Sequence, residues 1–295
     1  MQPGAGTAAT PEGPAAQDEQ APPSILAATS ATERLAERDF RACSEEELAL
    51  IRQLIDRLPF IPPMRRARRH RLHRAGRRMD VRATLRGARR TGGDPVELVM
   101  RTHSERPRRV VLLADVSGSM EPYARVYLHL LRGAVRALGA EAFVFATRLT
   151  RLTRALAGTD PDSAYQRAAK AAPDWSGGTR IGAALHEFLE RHGRRGMARG
   201  AILVIVSDGW ETDDPALIAT SMERLSRLAH HIIWVNPRKA ATGYEPLVRG
   251  MAAALPFVDT FVSGHSVRAL QDVLDAINGA RDRMPVSTTR PRVAS

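Results

Sequence analysis

Five side chains with oxygen donors recur at spacings that could hold one cation. Asp115, Ser117 and Ser119 alternate after an apolar run, so an extended turn would point all three towards one place. Asp208 ends a second apolar run, and Thr179 follows two glycines between the runs. Carboxylate and hydroxyl oxygens are hard donors, which favour Mg²⁺ over zinc, with Mn²⁺ and Ca²⁺ as alternatives.

A cation held by these residues would have room for an outside ligand. Three hydroxyls and two carboxylates cannot fill all coordination positions of the ion with charged groups of the protein. Waters occupy the remaining positions, and an oxygen atom of another molecule can replace one of them. The ion keeps much of its charge, which favours a partner's carboxylate as that ligand. A hydrolase is the weakest interpretation, because both carboxylates serve the ion and no general base remains. The sequence has no P-loop, and we predict a non-enzymatic protein.

Alternating strands and helices are predicted to position these side chains. Continuous apolar runs at 110–114 and 201–206 are typical of parallel strands covered on both faces. Further strands are predicted at 142–145, 149–156, 232–235 and 258–262. Helices are predicted at 121–138, 161–172, 181–192, 215–229 and 267–277. The alternation predicts a doubly wound, mostly parallel α/β sheet, and ligands of such sheets bind beyond the carboxyl ends of the strands.

The residues before this region have a different character. Ser44 and Glu47 form a capping-box pattern, and apolar residues at helical spacing follow as far as Leu58. Residues 64–90 hold twelve arginines and one acid, Asp80. Within this arginine block, residues 80–90 are expected to form a short helix, and 96–101 a short strand after it.

The five-part cation pattern resembles the metal-ion-dependent adhesion site (MIDAS) of von Willebrand factor A (VWA) domains. Its parts occur in that family's order: Asp115-x-Ser117-x-Ser119, then Thr179, then Asp208. By this resemblance, Ser117 and Ser119 bind the ion directly, and Thr179 binds directly or through water. Asp115 and Asp208 act mainly through waters or from outside the ion's direct ligands. The resemblance implies a VWA, Rossmann-like fold.

Further segments resemble the CoxE-like group of VWA proteins, over roughly residues 38–280. They include Pro173–Gly182, Ser207–Glu211, Trp234–Pro237, Tyr244–Pro246 and Arg249–Met251. The resemblance implies an accessory protein that works beside a MoxR-type AAA+ ATPase. Its expected role is maturation of a molybdenum-containing dehydrogenase such as carbon monoxide dehydrogenase. An acidic residue of the partner is then the expected additional ligand of the ion.

Four regions follow from these patterns. Residues 1–32 contain few large apolar groups and are predicted to be disordered. Residues 33–107 form a helical, arginine-rich extension, residues 108–280 the VWA domain, and residues 281–295 a tail. Trp175 and Trp210 flank the cation loops, and we interpret them as loop anchors rather than partner contacts.

The formal net charge of +12 leaves three interpretations of the arginine block. It could dock acidic segments of a partner, bind nucleic acid, or contact the anionic inner surface of a membrane. Few aromatic residues lie between the arginines, which weakens single-strand stacking, so partner docking ranks first. A nucleic-acid-associated VWA protein is the alternative function.

The sequence also bears on location. Cys43 is the only cysteine, so no intramolecular disulfide can form. No run of eighteen apolar residues occurs, and the first residues lack the basic and apolar parts of a signal peptide. We therefore expect a cytoplasmic protein without a transmembrane segment.

Overall fold

The computed structural model describes residues 32–93, 97–172, 178–240 and 248–280. Apart from Thr32, the segment predicted to be disordered lies outside these ranges, as does the predicted tail. A mostly parallel sheet with helices packed on both faces forms the larger part of the described chain, which confirms the predicted α/β class.

The described residues contain nine strands in two sheets. The strands are β1 (Met64–Leu72), β2 (Arg78–Met79), β3 (Met100–Pro107), β4 (Val110–Asp115), β5 (Glu141–Phe145), β6 (Leu149–Arg151), β7 (Ile202–Val206), β8 (His231–Asn236) and β9 (Thr260–Ser263). The large sheet has the order β6–β5–β4–β7–β8–β9, and only β6 pairs antiparallel to its neighbour. The small sheet is antiparallel, with the order β1–β3–β2.

Ten helices are described, besides short 3-10 turns. They are α1 (residues 32–37), α2 (Glu45–Asp56), α3 (Val81–Ala88), α4 (Glu121–Leu138), α5 (Thr153–Leu156), α6 (Pro161–Ala171), α7 (Ile181–Phe188), α8 (Pro215–Leu228), α9 (Arg249–Ala254) and α10 (Val267–Gly279). None of them is long and apolar enough to cross a membrane.

The central strand β4 shows why the sheet needs helices on both sides. All six of its residues are buried. Leu112 packs into the core under α2, α4 and α10, whereas Leu113 packs into the core under α7, α8 and α9. A strand with two covered faces cannot alternate polar and apolar residues, which accounts for the continuous apolar run in the sequence.

Helix α2 of the extension packs into the core of the large sheet rather than standing apart from it. The predicted capping box of α2 is confirmed, since Ser44 and Glu47 each bond to the other's backbone. Ile51 and Ile55 of α2 are fully buried in the same core as α4. The boundary at 107/108 stays a prediction, but the core of the domain draws on residues before it.

The small sheet is the main departure from the predicted extension. The sequence predicts a partly helical arginine block. Helix α3, which begins after its N-cap residue Asp80, confirms the helical part. The first part of the block is instead the strand β1, which pairs with β3. The strand predicted at 96–101 begins only at Met100 and continues to Pro107. Arginine dominates both faces of β1, so the pattern of apolar residues that normally indicates a strand is missing.

Two other predictions had the wrong extent. The edge strand predicted at 149–156 ends at Arg151, and α5 follows it. There the hydroxyl of Thr153 donates to Glu141, and the backbone NH of Leu152 donates to Ala142. The helix predicted at 181–192 is regular only to Phe188 and continues as a wider π-helical segment towards Met197.

Candidate metal centre

The end of β4 fixes Asp115 beneath the loop that follows it. Asp115 is fully buried, and its Oδ1 accepts a hydrogen bond of 2.9 Å from the backbone NH of Ser117. Its Oδ2 accepts one of 2.8 Å from the hydroxyl of Ser207 at the end of β7. Because both of its carboxylate oxygens already accept hydrogen bonds, Asp115 is placed to orient the neighbouring residues rather than to bind an ion directly.

The loop after β4 brings two hydroxyls together. The side-chain oxygens of Ser117 and Ser119 lie 3.3 Å apart. The backbone NH of Met120 donates to the carbonyl of Ser117, which closes a turn just before α4 begins. The predicted convergence of alternate side chains therefore holds for these two hydroxyls.

The neighbouring strand end, after β7, supplies Asp208. This residue is buried, and its Oδ1 accepts a hydrogen bond of 3.0 Å from the backbone NH of Trp210. Gly209 follows with a positive φ of 82°, and a Cβ at this position would lie 2.8 Å from the Cβ of Met251. The chain can therefore turn away from Asp208 only through a residue without a side chain.

Thr179 reaches the same edge from the loop before α7. Its carbonyl accepts hydrogen bonds from the backbone NH and the hydroxyl of Thr212, which follows β7. The backbone NH of the next residue, Arg180, donates to the carbonyl of Ala146 after β5. The side chain of Thr179 is buried. The structure thus brings all five predicted site residues to the carboxyl ends of the central strands, and their role as ligands stays a prediction.

Arg238 is a charged neighbour that sequence analysis missed. Its Nε lies 3.3 Å from Oδ2 of Asp208, and its guanidinium donates to the carbonyl of Ser119. The backbone NH of Arg238 donates to the side chain of Asn236, whose amide donates to the carbonyl of Asp208. Arg238 therefore links the ends of β4, β7 and β8, and it places a positive charge beside one candidate carboxylate.

Burial controls the charge of Asp115. Loss of contact with water raises the pKa of its carboxyl from 3.8 to about 7. Hydrogen bonds with Ser117 and Ser207 lower this pKa, and the nearby charge of Asp208 raises it. A divalent cation close by would favour the ionised carboxylate, because it offsets the charge that burial penalises.

The donors fit a hard cation. Oxygens that each lie ~2.1 Å from an octahedral Mg²⁺ are about 3 Å from their neighbours, close to the spacing of the Ser117 and Ser119 hydroxyls. The set combines these hydroxyls with the buried carboxyls of Asp115 and Asp208. No group of three or more His, Cys, Asp or Glu side chains comes together in the described part of the chain. A site built here depends on serine and threonine oxygens, as the sequence predicts.

The position of Trp210 contradicts its interpretation as a loop anchor. Its side chain is 57% exposed, so it does not anchor the loop against the core. Trp175 lies outside the described residues. An indole held beside Asp208 by the backbone, yet open to solvent, is suited to contact a partner.

Ser207 and Arg238, the neighbours of the candidate site, differ in whether the sequence could have indicated their positions. Ser207 stands next to Asp208 in the Ser-Asp-Gly strand end, so its proximity to the site could have been predicted. Arg238 follows β8, and its contact with Asp208 depends on which strand lies beside β7. No local spacing in the sequence reveals that neighbour.

The chain matches one protein family by sequence. The model of the family described as "VWA domain containing CoxE-like protein" matches residues 54–270, which include the arginine block as well as all five candidate residues. No curated protein matches the chain.

Solved structures also match the chain, at low sequence identity. The von Willebrand factor type A structure from Catenulispora acidiphila is 15% identical, covers 62% of this chain and 45% of its own, with a TM-score of 0.41. Proximal thread matrix protein 1 from the mussel byssus, with a zinc-occupied MIDAS motif, is 15% identical and covers 58% and 44%, with a TM-score of 0.39. An aerotolerance-related membrane protein from Bacteroides fragilis is 14% identical and covers 58% and 98%, with a TM-score of 0.37. The chain spans less than half the length of the first two.

Proposed function

Because this chain belongs to the family of VWA-domain-containing CoxE-like proteins, we propose that it is a metal-dependent adaptor that binds other proteins. The observation that carries this proposal is the cluster of buried oxygens at the carboxyl edge of the large sheet. Ser117 and Ser119 place two hydroxyls 3.3 Å apart there, beside the buried carboxyls of Asp115 and Asp208. We assign Mg²⁺ to this site, with Mn²⁺ and Ca²⁺ as alternatives.

Each residue of the site has a distinct task in this proposal. Ser117 and Ser119 hold the ion through their hydroxyls, and Thr179 joins them directly or through water. Asp115 keeps the loop after β4 in place through its bonds to Ser117 and Ser207. Asp208 adds charge from the neighbouring strand. The bound ion supplies an electrophilic position for a carboxylate oxygen of the partner.

The surface around the site suits a protein partner. Trp210 is exposed beside Asp208, and aromatic residues often carry a large share of binding energy at protein interfaces. Arg238, about two-fifths exposed, offers a guanidinium on the other side of Asp208. A partner's acidic residue could therefore meet the ion, a cation of the chain and an apolar ring at one place, with no catalytic step required of this chain.

The partner and client in this proposal follow from the CoxE-like family. We propose that the adaptor binds a MoxR-type AAA+ ATPase and acts in the maturation of a molybdenum-containing dehydrogenase such as carbon monoxide dehydrogenase. The chain itself has no P-loop, so the energy for remodelling would come from the ATPase. We propose that this takes place in the cytoplasm.

Affinity for a MoxR-type AAA+ ATPase tests the proposal. Calorimetry would compare the wild type with Thr179→Ala, each with Mg²⁺ and with EDTA. Loss of a charge-assisted contact costs about 1.5–3 kcal/mol, so EDTA and Thr179→Ala should each weaken binding by roughly tenfold to a hundredfold.

The matched control is Thr220→Ala, which removes an exposed threonine hydroxyl on α8. It should bind the ATPase as the wild type does. Unchanged affinity of the wild type and Thr179→Ala in both buffers would show that the metal site is not where the partner docks.

A further inference from the structure

A cavity of about 840 Å³ opens at the edge of the large sheet opposite the metal centre. Arg109, Gly139 and Gly200 line it, and they lie one or two residues before β4, β5 and β7. The other wall belongs to β1 and β3 of the small sheet. The cavity therefore lies where the arginine-rich extension meets the VWA fold, and residues of both regions form it.

Arginine dominates the lining of this cavity. Six arginines contribute: Arg65, Arg69, Arg106, Arg108, Arg109 and Arg199. None of the described residues that line it is acidic, and none is aromatic. Within the described ranges, no ion pair with Asp or Glu is formed by Arg65, Arg106 or Arg199. These three arginines therefore bring positive charge to the cavity that no ion pair with a described acid offsets.

Two of these arginines lie directly opposite each other on neighbouring strands of the small sheet. Arg65 of β1 is the register partner of Arg106 of β3. Like charges at directly opposed positions destabilise an antiparallel pair, so this arrangement lowers the stability of the sheet when no anion is present. An anion between the two guanidiniums would convert the repulsion into two charge-assisted contacts.

Two of the lining arginines form hydrogen bonds with backbone carbonyls beside the cavity. Arg108 donates to the carbonyl of Gly200, and Arg109 donates to the carbonyl of Gly196. These bonds fix the link between β3 and β4 against the loops that precede β7.

We propose that this cavity binds a compact polyphosphate group, as carried by a nucleoside triphosphate or an inorganic oligophosphate. Its volume lies within the ~300–1,000 Å³ of small-molecule sites. Guanidinium groups bind phosphate oxygens through paired, planar N–H bonds. Each phosphate of a condensed chain carries about one negative charge and the terminal one up to about two, so a triphosphate would offset much of the charge of the arginines around the cavity.

Macromolecular anions fit the cavity less well. A nucleic acid would gain from stacked aromatic side chains, and the described lining residues include none. An acidic peptide provides one charge per side chain, so it would need four or more acids within the same volume. The concentration of six arginines around one cavity favours the ligand with the denser charge.

Calorimetry with sodium tripolyphosphate tests the proposal on the full chain. EDTA in the buffer keeps the metal centre out of the measurement. The wild type should bind tripolyphosphate, and Arg65→Gln/Arg106→Gln should weaken binding by roughly tenfold or more, since it removes two charge-assisted contacts. The control Arg154→Gln/Arg268→Gln removes the same charge from exposed positions outside the cavity and should bind as the wild type does.

Thermal unfolding provides an independent readout of folding. Without anion, the Arg65→Gln/Arg106→Gln variant should melt at or above the wild-type temperature, because the cross-strand repulsion is gone. Tripolyphosphate should raise the melting temperature of the wild type and not that of the variant.

Four outcomes would overturn the proposal. They are absence of tripolyphosphate binding by the wild type, an equal loss of binding in the control, equally tight binding of citrate, and tighter binding of duplex DNA or a poly-glutamate peptide at the cavity. The last three would indicate general charge attraction, a carboxylate ligand or a macromolecular one.

Discussion

The two ends of the large sheet carry opposite chemistry and are built in opposite ways. At the carboxyl end, buried oxygens of Ser117, Asp115 and Asp208 converge from adjacent parallel strands. At the amino end, exposed guanidiniums gather around a cavity that a second sheet closes. The first site is made within one sheet by strand register, and the second by packing between two sheets.

This difference explains why the two ends should respond to different ligands. Burial at the carboxyl end makes ionised carboxylates costly without a cation. Opposed arginines at the amino end make positive charge costly without an anion. If the comparison is right, a change at one end should leave the ligand response of the other end intact.

The pH dependence of stability offers the largest expected effect. A rise in the pKa of Asp115 from 3.8 to about 7 means that the folded protein holds this proton more tightly than the unfolded chain. The contribution to stability is then fully present below about pH 4 and is lost as the pH rises through about 7, by about 4 kcal/mol at most. Asp115→Asn should remove this dependence.

Urea unfolding in EDTA, between about pH 4 and about pH 8, measures this effect. The metal-free wild type should lose stability towards the higher pH, and Arg65→Gln/Arg106→Gln should lose the same amount. If the free energy of unfolding changed with pH equally in the wild type and Asp115→Asn, the carboxyl of Asp115 would not be the source of the pH dependence. Burial at the carboxyl end of the sheet would then not make an ionised carboxylate costly.

Stabilisation by metal is the next effect in size. At a hundredfold excess over Kd, one bound Mg²⁺ should add roughly 2.7 kcal/mol to the free energy of unfolding. Asp115→Ala should abolish this gain, because the loop after β4 loses the bonds that hold Ser117 in place. Melting curves with Mg²⁺ and with EDTA provide the measurement.

Two controls sharpen that test. Asp272→Ala removes an exposed carboxylate of α10 and should keep the full gain from Mg²⁺. Arg65→Gln/Arg106→Gln should keep it as well, since these arginines lie at the opposite end of the sheet. A gain from Mg²⁺ in Asp115→Ala that equals the wild-type gain would contradict the assignment of the site.

The smallest effect concerns Arg238. Its guanidinium pairs with Asp208 and would repel a divalent cation placed nearby. Because Arg238 is about two-fifths exposed, solvent screens the interaction, and Arg238→Gln should tighten Mg²⁺ binding by about 1 kcal/mol or less.

Calorimetric titration of Mg²⁺ against Arg238→Gln and Arg249→Gln separates the local effect from the change in net charge. Arg249 is exposed at the start of α9, and its loss should change the affinity much less. Weaker Mg²⁺ binding in Arg238→Gln would instead mean that the arginine supports the loop through the carbonyl of Ser119.

Local sequence spacing was sufficient for much of the fold and for the composition of the metal site. Apolar runs identified the buried strands β4 and β7, and Ser44 with Glu47 identified the start of α2. The same spacing singled out Asp115, Ser117 and Ser119, because alternate residues of an extended segment lie on one side. These features depend on residues a few positions apart, so the sequence alone determines them.

Contacts between distant segments were decided only by the tertiary structure. The pairing of Arg65 with Arg106 requires β1 to lie beside β3, across a block whose arginines conceal the strand pattern. The contact of Arg238 with Asp208 requires β8 to lie beside β7. Trp210 could be assigned to the surface only once the loop after β7 had been placed. Strand order and the packing of one sheet against another arise from the whole core, and no local spacing encodes them.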